Sequence, residues 1–474
     1  MKKLAELVFI PGPLVGHLAS AVEMANLLIR GDERLFITVI VMKLPFDTKT
    51  SIHTQSMSED ANSRIRFLEL PYQESKSKAG VHFVTTLTEN NKTRVREVAS
   101  GIQTNRLAGF VVDMICSGMI DVADELGVPS YVYFTSGAGF LGLMFHLQSI
   151  HDHQNIDITR FRDSETELSV PCFANSVPSK VLPSVVVENQ DECSEFIAIA
   201  RRFRRTKGIM VNTFMELESH AVKSLWDGQT PPVYPVGPVL NLKSGDRSHQ
   251  SDAIMSWLDN QPPSSVVFLC FGSRGSFGRE QVKEIADALE CSGYRFLWSL
   301  RQPPPKGKVE LPKEYENPQE VLPEGFLERM AGRGKVIGWV PQVAVLSHPA
   351  VGGFVSHCGW NSTLESLWCG VPMAAWPQYA EQQMNAFEMV RELGLAVEIK
   401  MDYGKDPREI NPVPLTAEEI ETGIRTVMRD DGEIRKKVNE MKEKSRGAIM
   451  EGGSSYISLG RLIEDVIKNM DFHS

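Results

Sequence analysis

Short runs rich in Val, Ile, Leu and Phe, each about one strand long, recur along this chain in two series. Longer stretches with apolar residues at helical spacing separate them. The first series lies at 7–10, 36–42, 65–68, 107–112, 130–134 and 208–212, and the second at 265–270, 296–300, 335–338, 353–356, 372–376 and 395–399. Strands that alternate with helices pair in parallel, and parallel strands covered on both faces read as continuous apolar runs. The pattern predicts an α/β chain with two doubly wound parallel-sheet domains. At 474 residues each domain can bury its own core. The clearest helix signal covers about 18–30. Tyr-Pro-Val-Gly-Pro at 234–238 and the small polar residues of 241–252 read as a domain boundary. The expected division is a first domain over 1–240, a linker over 241–252, a second domain over 253–454, and a terminal helix within 455–474 that packs back on the first domain. The stretch 309–321, rich in Pro, Lys and Glu, reads as an exposed loop.

A net charge of -10 argues against general affinity for nucleic acid or anionic membranes. The basic run Arg201, Arg202, Arg204, Arg205 and Lys207 reads as a solvated helix face. The seven cysteines have no close paired spacing, so neither a disulfide framework nor a zinc site is indicated. The amino end passes directly into a short strand, and no stretch reaches about 18 uninterrupted apolar residues. The expectation is a cytoplasmic, monomeric protein with no membrane span.

Chemistry concentrates between Trp339 and Gln382. The strand at 353–356 delivers His357 to the carboxyl edge of its sheet, where ligands of open parallel sheets bind. A helix starting near Asn361 then points free N–H groups there, and a helix amino end carries roughly +0.5 charge, which suits a diphosphate. Asn361 and Ser362 are also ordinary N-cap residues. Glu365, one turn beyond Asn361, places a carboxylate on the same face, where it can accept both hydroxyls of a ribose. Trp339 follows a strand and precedes Pro341, a position from which an indole can stack on a base. The alternatives are a solvated Glu365 and a core Trp339. Together these groups suit a nucleoside diphosphate sugar. In the first domain, His17 follows the first strand on a loop and Asp113 ends the strand at 107–112. Sheet geometry brings both to one rim, where a His–Asp contact is feasible.

The segment 339–382 resembles, without a gap, the signature box of plant family 1 UDP-glycosyltransferases, and similarity extends through Phe271-Gly272-Ser273 and most of the chain. It is closest to members that glucosylate flavonoids, lignans and related phenolics. The resemblance implies a GT-B fold, with the acceptor mostly on the first domain and the UDP-sugar mostly on the second. It assigns Trp339 and Gln342 to the uracil and its ribose, and Glu365 to the ribose hydroxyls. His357, Asn361, Ser362 and Ser273 fall on the phosphate contacts. Glu381 and Gln382 fall on the sugar hydroxyls, with help from the Trp360 backbone and Thr135. His17 falls on the catalytic base and Asp113 on its supporting acid, for inverting transfer from UDP-glucose as co-substrate with no metal or other cofactor. Arg274 departs from the neutral residue common in the family; the bland reading points it into solvent. The acceptor pocket is expected among Phe140, Met144, His146 and Tyr379 and the loops around 72–90 and 180–200, with His146 structural. Triterpenoids and hormones are alternative acceptors.

Two rival readings accompany this one. Gly137-Ala-Gly139-Phe-Leu-Gly142 matches a dinucleotide fingerprint after a strand, which admits an NAD(P)-dependent oxidoreductase. That strand is not the first of its sheet, however, and no acidic strand end follows about 20 residues on. A catalytically silent UDP-sugar binder is disfavoured by the presence of His17 and Asp113.

Overall fold

The computed structural model describes residues 4–43, 63–71, 81–102, 106–242, 249–305, 310–402, 414–429 and 432–471. Parts of two expected segments, 72–80 of an acceptor loop and 243–248 of the linker, lie outside the described residues, as does Val309.

Strands β1 (Ala5–Ile10), β2 (Leu35–Met42), β3 (Ile65–Leu70), β4 (Leu107–Asp113), β5 (Ser130–Phe134), β6 (Gly208–Val211) and β7 (Val233–Pro235) form one parallel sheet in the order β3-β2-β1-β4-β5-β6-β7. Strands β8 (Val266–Cys270), β9 (Arg295–Ser299), β10 (Gly334–Ile337), β11 (Val351–Ser356), β12 (Met373–Ala375) and β13 (Ala396–Glu398) form the second, in the order β10-β9-β8-β11-β12-β13. Both are the doubly wound arrangement expected. Every residue of β1, β4 after its first, β5, β8 and β11 is buried, which is why these strands read as unbroken apolar runs. In each sheet the order reverses between the first strand and the fourth, β1 with β4 and β8 with β11. Crevices open at those two points, beyond the strand carboxyl ends.

Three details differ from expectation. β7 pairs with β6, although its Pro and flanking turn-formers read only as a boundary; Pro is tolerated there because the strand is at the edge. Helix α1 (Val15–Gly31) starts with no side-chain cap on Leu14. His17 therefore lies in its first turn and not on a loop, since a helix without a capping residue gives no start signal. Lys313–Glu314 pairs antiparallel with Arg301–Gln302, and the Glu314 carboxylate accepts from the Trp339 amide at 2.8 Å. Within the described part of that stretch, 310–321, Lys313 and Glu314 are thus tied to the second sheet's rim rather than lying in a plain exposed loop.

Five further helices matter for the site: α2 (Ala138–Gln154), α3 (Gln342–Leu346), α4 (Trp360–Cys369), α5 (Gln382–Phe387) and α6 (Ser454–Asp471). α6 lies against α1, β4 and β7, where Tyr234 donates to Asp465 at 2.6 Å and Asn469 to the Tyr131 hydroxyl at 2.8 Å. One core cluster runs from Phe134 and Phe140 through Trp360 to Phe387, so the two domains share buried apolar surface. Three residues of the basic run pair within their own domain: Arg201 with Asp152, Arg202 and Arg205 with Asp121, and Arg205 also with Asp124. No helix among the described residues is long and apolar enough to cross a membrane.

Candidate active site

The first crevice holds the His–Asp contact. His17 Nδ1 lies 2.9 and 3.1 Å from the two Asp113 carboxylate oxygens and 3.2 Å from Thr135 Oγ1. Asp113 Oδ1 also accepts from the Ile115 amide at 3.0 Å, which fixes the carboxylate at the strand end. The Asp113 side chain is 1 % exposed and the His17 ring 24 % exposed, so the pair is held from below and open above. Burial pulls the His17 pKa down, but the charge and hydrogen bond of Asp113, with Glu381 across the cleft, outweigh it and raise the pKa above 6.5. Gly12 leaves room beneath them: a Cβ there would stand 2.8 Å from the end of the Ile115 side chain and 3.1 Å from Asp113 Oδ1.

The second crevice is built on His357, at the end of β11. Its ring is wedged between glycines. A Cβ on Gly272 would lie 2.4 Å from His357 Nε2, and one on Gly359 2.6 Å from it. Gly272 also has φ +72, a region closed to most side chains. Burial lowers the His357 pKa to about 4, so the imidazole is neutral and can donate one N–H. His357 Nδ1 and Asn361 Oδ1 are buried with no hydrogen-bond partner among the described residues. Native proteins seldom leave such groups unmade unless a ligand uses them. The next residue, Cys358, is left-handed at φ 62, and this turns the chain into α4. The N-cap of α4 is Gly359, with no side-chain cap. Asn361 and Ser362 therefore do not cap this helix, and its first amides face the crevice uncapped.

Along α4, Glu365 is half-buried, and its loss of solvent raises its pKa to about 7, while Gln342 opposes that by donating to it at 2.6 Å. Gln342 also donates to Ser362 at 2.8 Å, so α3 and α4 are cross-linked where the ribose contacts are expected. Gln382 Oε1 accepts from the amides of Gln378 and Tyr379 at 2.9 and 3.1 Å and closes the loop before α5. Glu381 is the N-cap of α5, and burial raises its pKa despite the opposing charge of His17. Ser273 and Arg274 are exposed. Arg274 is still close enough to Tyr379 for its charge to act on that phenol.

Residues 189–442 match the family model for UDP-glucoronosyl and UDP-glucosyl transferase. The chain belongs to that family. It is 56 % identical to UDP-glycosyltransferase 71E1 of Stevia rebaudiana over 98 % of both chains. It is 54 % identical to UDP-glucose flavonoid 3-O-glucosyltransferase 6 of Fragaria ananassa, covering 98 % of this chain and 99 % of that one. Among solved structures, Medicago truncatula UGT71G1 complexed with UDP-glucose superposes with a TM-score of 0.87 at 44 % identity, over 98 % of this chain and 99 % of that one. The protein is a plant family 1 UDP-glycosyltransferase of GT-B fold, as the signature box implies.

In this glycosyltransferase the dinucleotide fingerprint has another use. A Cβ on Gly137 would meet the Trp360 ring at 2.8 Å, one on Gly139 would meet Phe173 and Glu388 at 2.8 Å, and one on Gly142 would meet Cys172 at 2.6 Å. The α2 start is occupied by a carboxylate, Glu218, which accepts from the Gly139 amide at 2.7 Å. The oxidoreductase reading fails there.

Among the expected acceptor residues, Phe140 packs on Phe134 and Phe196, with ring centroids 6.0 and 6.2 Å apart. Met144 is buried beside it, while His146 is half-buried and held below its usual pKa by burial. A cavity of about 560 Å³ opens between the domains; the expected loop around 180–200 contributes Lys180 and Val181 to its lining, beside Phe387 and Arg391, whereas Phe140, Met144, His146 and Tyr379 do not line it. Sequence reasoning missed Asn212, whose carbonyl accepts from the Trp360 indole at 2.7 Å, and the glycines around His357. The first leaves no local signal. The second was visible as Phe-Gly-Ser and His-Cys-Gly, without its reason.

Proposed function

We propose that the enzyme moves glucose from UDP-glucose to a hydroxyl of a small phenolic of flavonoid or lignan type, with inversion, using His17 as general base and Asp113 as its support. The observation that carries this reading is the two-oxygen grip of Asp113 on His17 Nδ1 at 2.9 and 3.1 Å. That grip selects the tautomer that leaves Nε2 as the basic nitrogen and stabilises the imidazolium once the proton arrives. A phenol titrates near pH 10 and a free imidazole near 6.5. The raised His17 pKa narrows this gap, so proton transfer during attack on the anomeric carbon becomes less uphill. The phenolate oxygen forms its bond to that carbon as the bond to UDP breaks on the opposite face, which inverts the centre. Charge developing on UDP is met by the uncapped α4 amino end, by His357 and by the Phe271 to Ser276 loop. Trp339, Gln342 and Glu365 take the nucleoside, and Glu381 and Gln382 the sugar hydroxyls. Similarity to the strawberry flavonoid 3-O-glucosyltransferase and to the Medicago enzyme complexed with UDP-glucose supports glucose and a flavonoid-type acceptor.

Mass-spectrometric screening of UDP-glucose, UDP-galactose and UDP-xylose against phenolic and terpenoid acceptors tests the substrate assignment. The expected outcome is a hexoside of a phenol with UDP-glucose. Products only on triterpenoid or hormone acceptors would overturn the acceptor class, and no product with any donor the whole reading.

The base has a pH signature. His17 must be deprotonated in the free enzyme, so kcat/KM should fall on the acid side with an apparent pKa above 6.5. In Asp113→Asn the raising charge is gone while burial still lowers the pKa. The acid limb should then move to lower pH as the plateau drops by roughly 100-fold or more, because the amide no longer holds the right tautomer. A limb that stays in place in Asp113→Asn assigns it to another group.

A further inference from the structure

Two buried carboxyl groups between the crevices take no part in the transfer chemistry. Glu218 belongs to the first domain and is 2 % exposed; Glu388 belongs to the second and is 4 % exposed. Glu218 Oε1 accepts from the Gly139 amide, while its buried Oε2 takes no hydrogen bond from any conventional donor among the described residues. Glu388 reaches the same helix start from the other side: its Oε2 lies 2.8 Å from the point a Cβ on Gly139 would occupy. The two carboxyl groups thus converge on Gly139 from opposite domains. Carboxylates are acceptors only, so two such groups brought together out of water can bond each other only when one is protonated.

We propose that Glu218 and Glu388 share one proton across the domain interface, and that this acid–carboxylate pair is a positioning element that sets how α4 of the donor domain meets the acceptor domain. The pair stands directly behind both halves of the site. A Cβ on Gly137 would lie 2.9 Å from Glu218 Oε1 and 2.8 Å from the ring of Trp360, the first residue of α4. Two residues before Gly137, Thr135 touches His17 Nδ1. Separation of the two carboxyl groups therefore shifts the phosphate-facing helix start relative to His17.

The surroundings favour the shared proton. Glu392, one turn beyond Glu388, accepts from the amides of Ala174 and Asn175 at 2.9 and 2.7 Å and adds a third acidic group. The Cys172 thiol donates to the Gly139 carbonyl at 3.2 Å and stays neutral, pushed well up by burial and by these carboxylates. Arg391 is turned to Glu398 at 2.8 Å. Burial, then Glu218, then Glu392 hold the Glu388 proton on well above the ordinary carboxyl range. The unfolded chain releases that proton near pH 4.5. The folded state thus binds more protons above that value. The stabilisation is complete below it and declines as the pH rises toward the pair's own pKa.

Glu388→Gln and Glu218→Gln test this, because each amide keeps the shape and donates to the remaining carboxylate without a titrating proton. The melting temperature of wild type should fall relative to both variants as the pH rises from 4.5 toward the pair's pKa, and the KM for UDP-glucose should rise beyond that pKa by up to about tenfold per pH unit. The infrared difference spectrum of wild type minus either variant, taken below the pair's pKa, should contain one protonated-carboxyl stretch, the same in both differences and separate from the band of Glu365. A variant-to-wild-type difference in KM that is the same at every pH, or a difference spectrum without that stretch, overturns the proposal. Should the variants fail to fold, the wild-type band must disappear over the pH range in which KM rises, and its persistence counts against the pair. This alkaline behaviour is separate from the acid limb assigned to His17, so either can fail alone.

Discussion

Replacing His17 by Ala is expected to lower kcat by about 100-fold to 10,000-fold, the usual range for general-base assistance and equivalent to roughly 3 to 5 kcal/mol of barrier. UDP affinity, measured by calorimetry, should stay within about twofold of wild type. The two effects separate because the ring belongs to the first crevice, gripped by Asp113 and Thr135, whereas the groups suited to uridine and phosphate stand on the second sheet's rim. The loss must come from proton transfer rather than from folding, so an unchanged melting temperature within a few degrees is part of the expected result. Equal turnover in mutant and wild type would sink the mechanism. A parallel loss of UDP binding would instead mean that His17 holds the donor.

The second large effect is on donor binding. Gly272→Ala should weaken UDP by at least about tenfold, or roughly 1.4 kcal/mol. Two causes act together. A left-handed backbone costs an alanine about 1–2 kcal/mol, and Gly272 has φ +72. The added methyl would also stand 2.4 Å from His357 Nε2, so the imidazole must move, and its buried, unpartnered Nδ1 with it. Gly278→Ala is the matched control, since its backbone is ordinary at φ -69 and a Cβ there meets nothing within 4 Å. UDP affinity that is unchanged in Gly272→Ala would show that the His357 ring need not sit where it does.

Much of this architecture was legible in the residues. The two strand series became two sheets because buried parallel strands must be apolar on both faces, which a linear pattern records. The signature box was legible for a related reason: β11, the turn and α4 are consecutive, so His357, Asn361, Ser362 and Glu365 are close in sequence as well as in space. The misses have the opposite cause. β7 was hidden because its Pro is acceptable only at a sheet edge, and the start of α1 because Leu14 caps nothing. The acceptor side stayed unreadable since Phe140 and Met144 pack as ordinary core residues on α2, and the shape of a pocket depends on loops from both domains.

From its sequence alone, then, this protein is a two-sheet chain whose second half carries a UDP-sugar box and whose family follows from that box. Tertiary structure alone decided how the halves meet. It set His17 on Asp113 across 96 positions, the Trp360 indole on the Asn212 carbonyl across 148, and Glu218 against Glu388 at the start of a helix belonging to neither. Each contact joins segments whose local preferences are already satisfied without it. No local pattern encodes such contacts; they exist because two switch-point crevices are packed face to face.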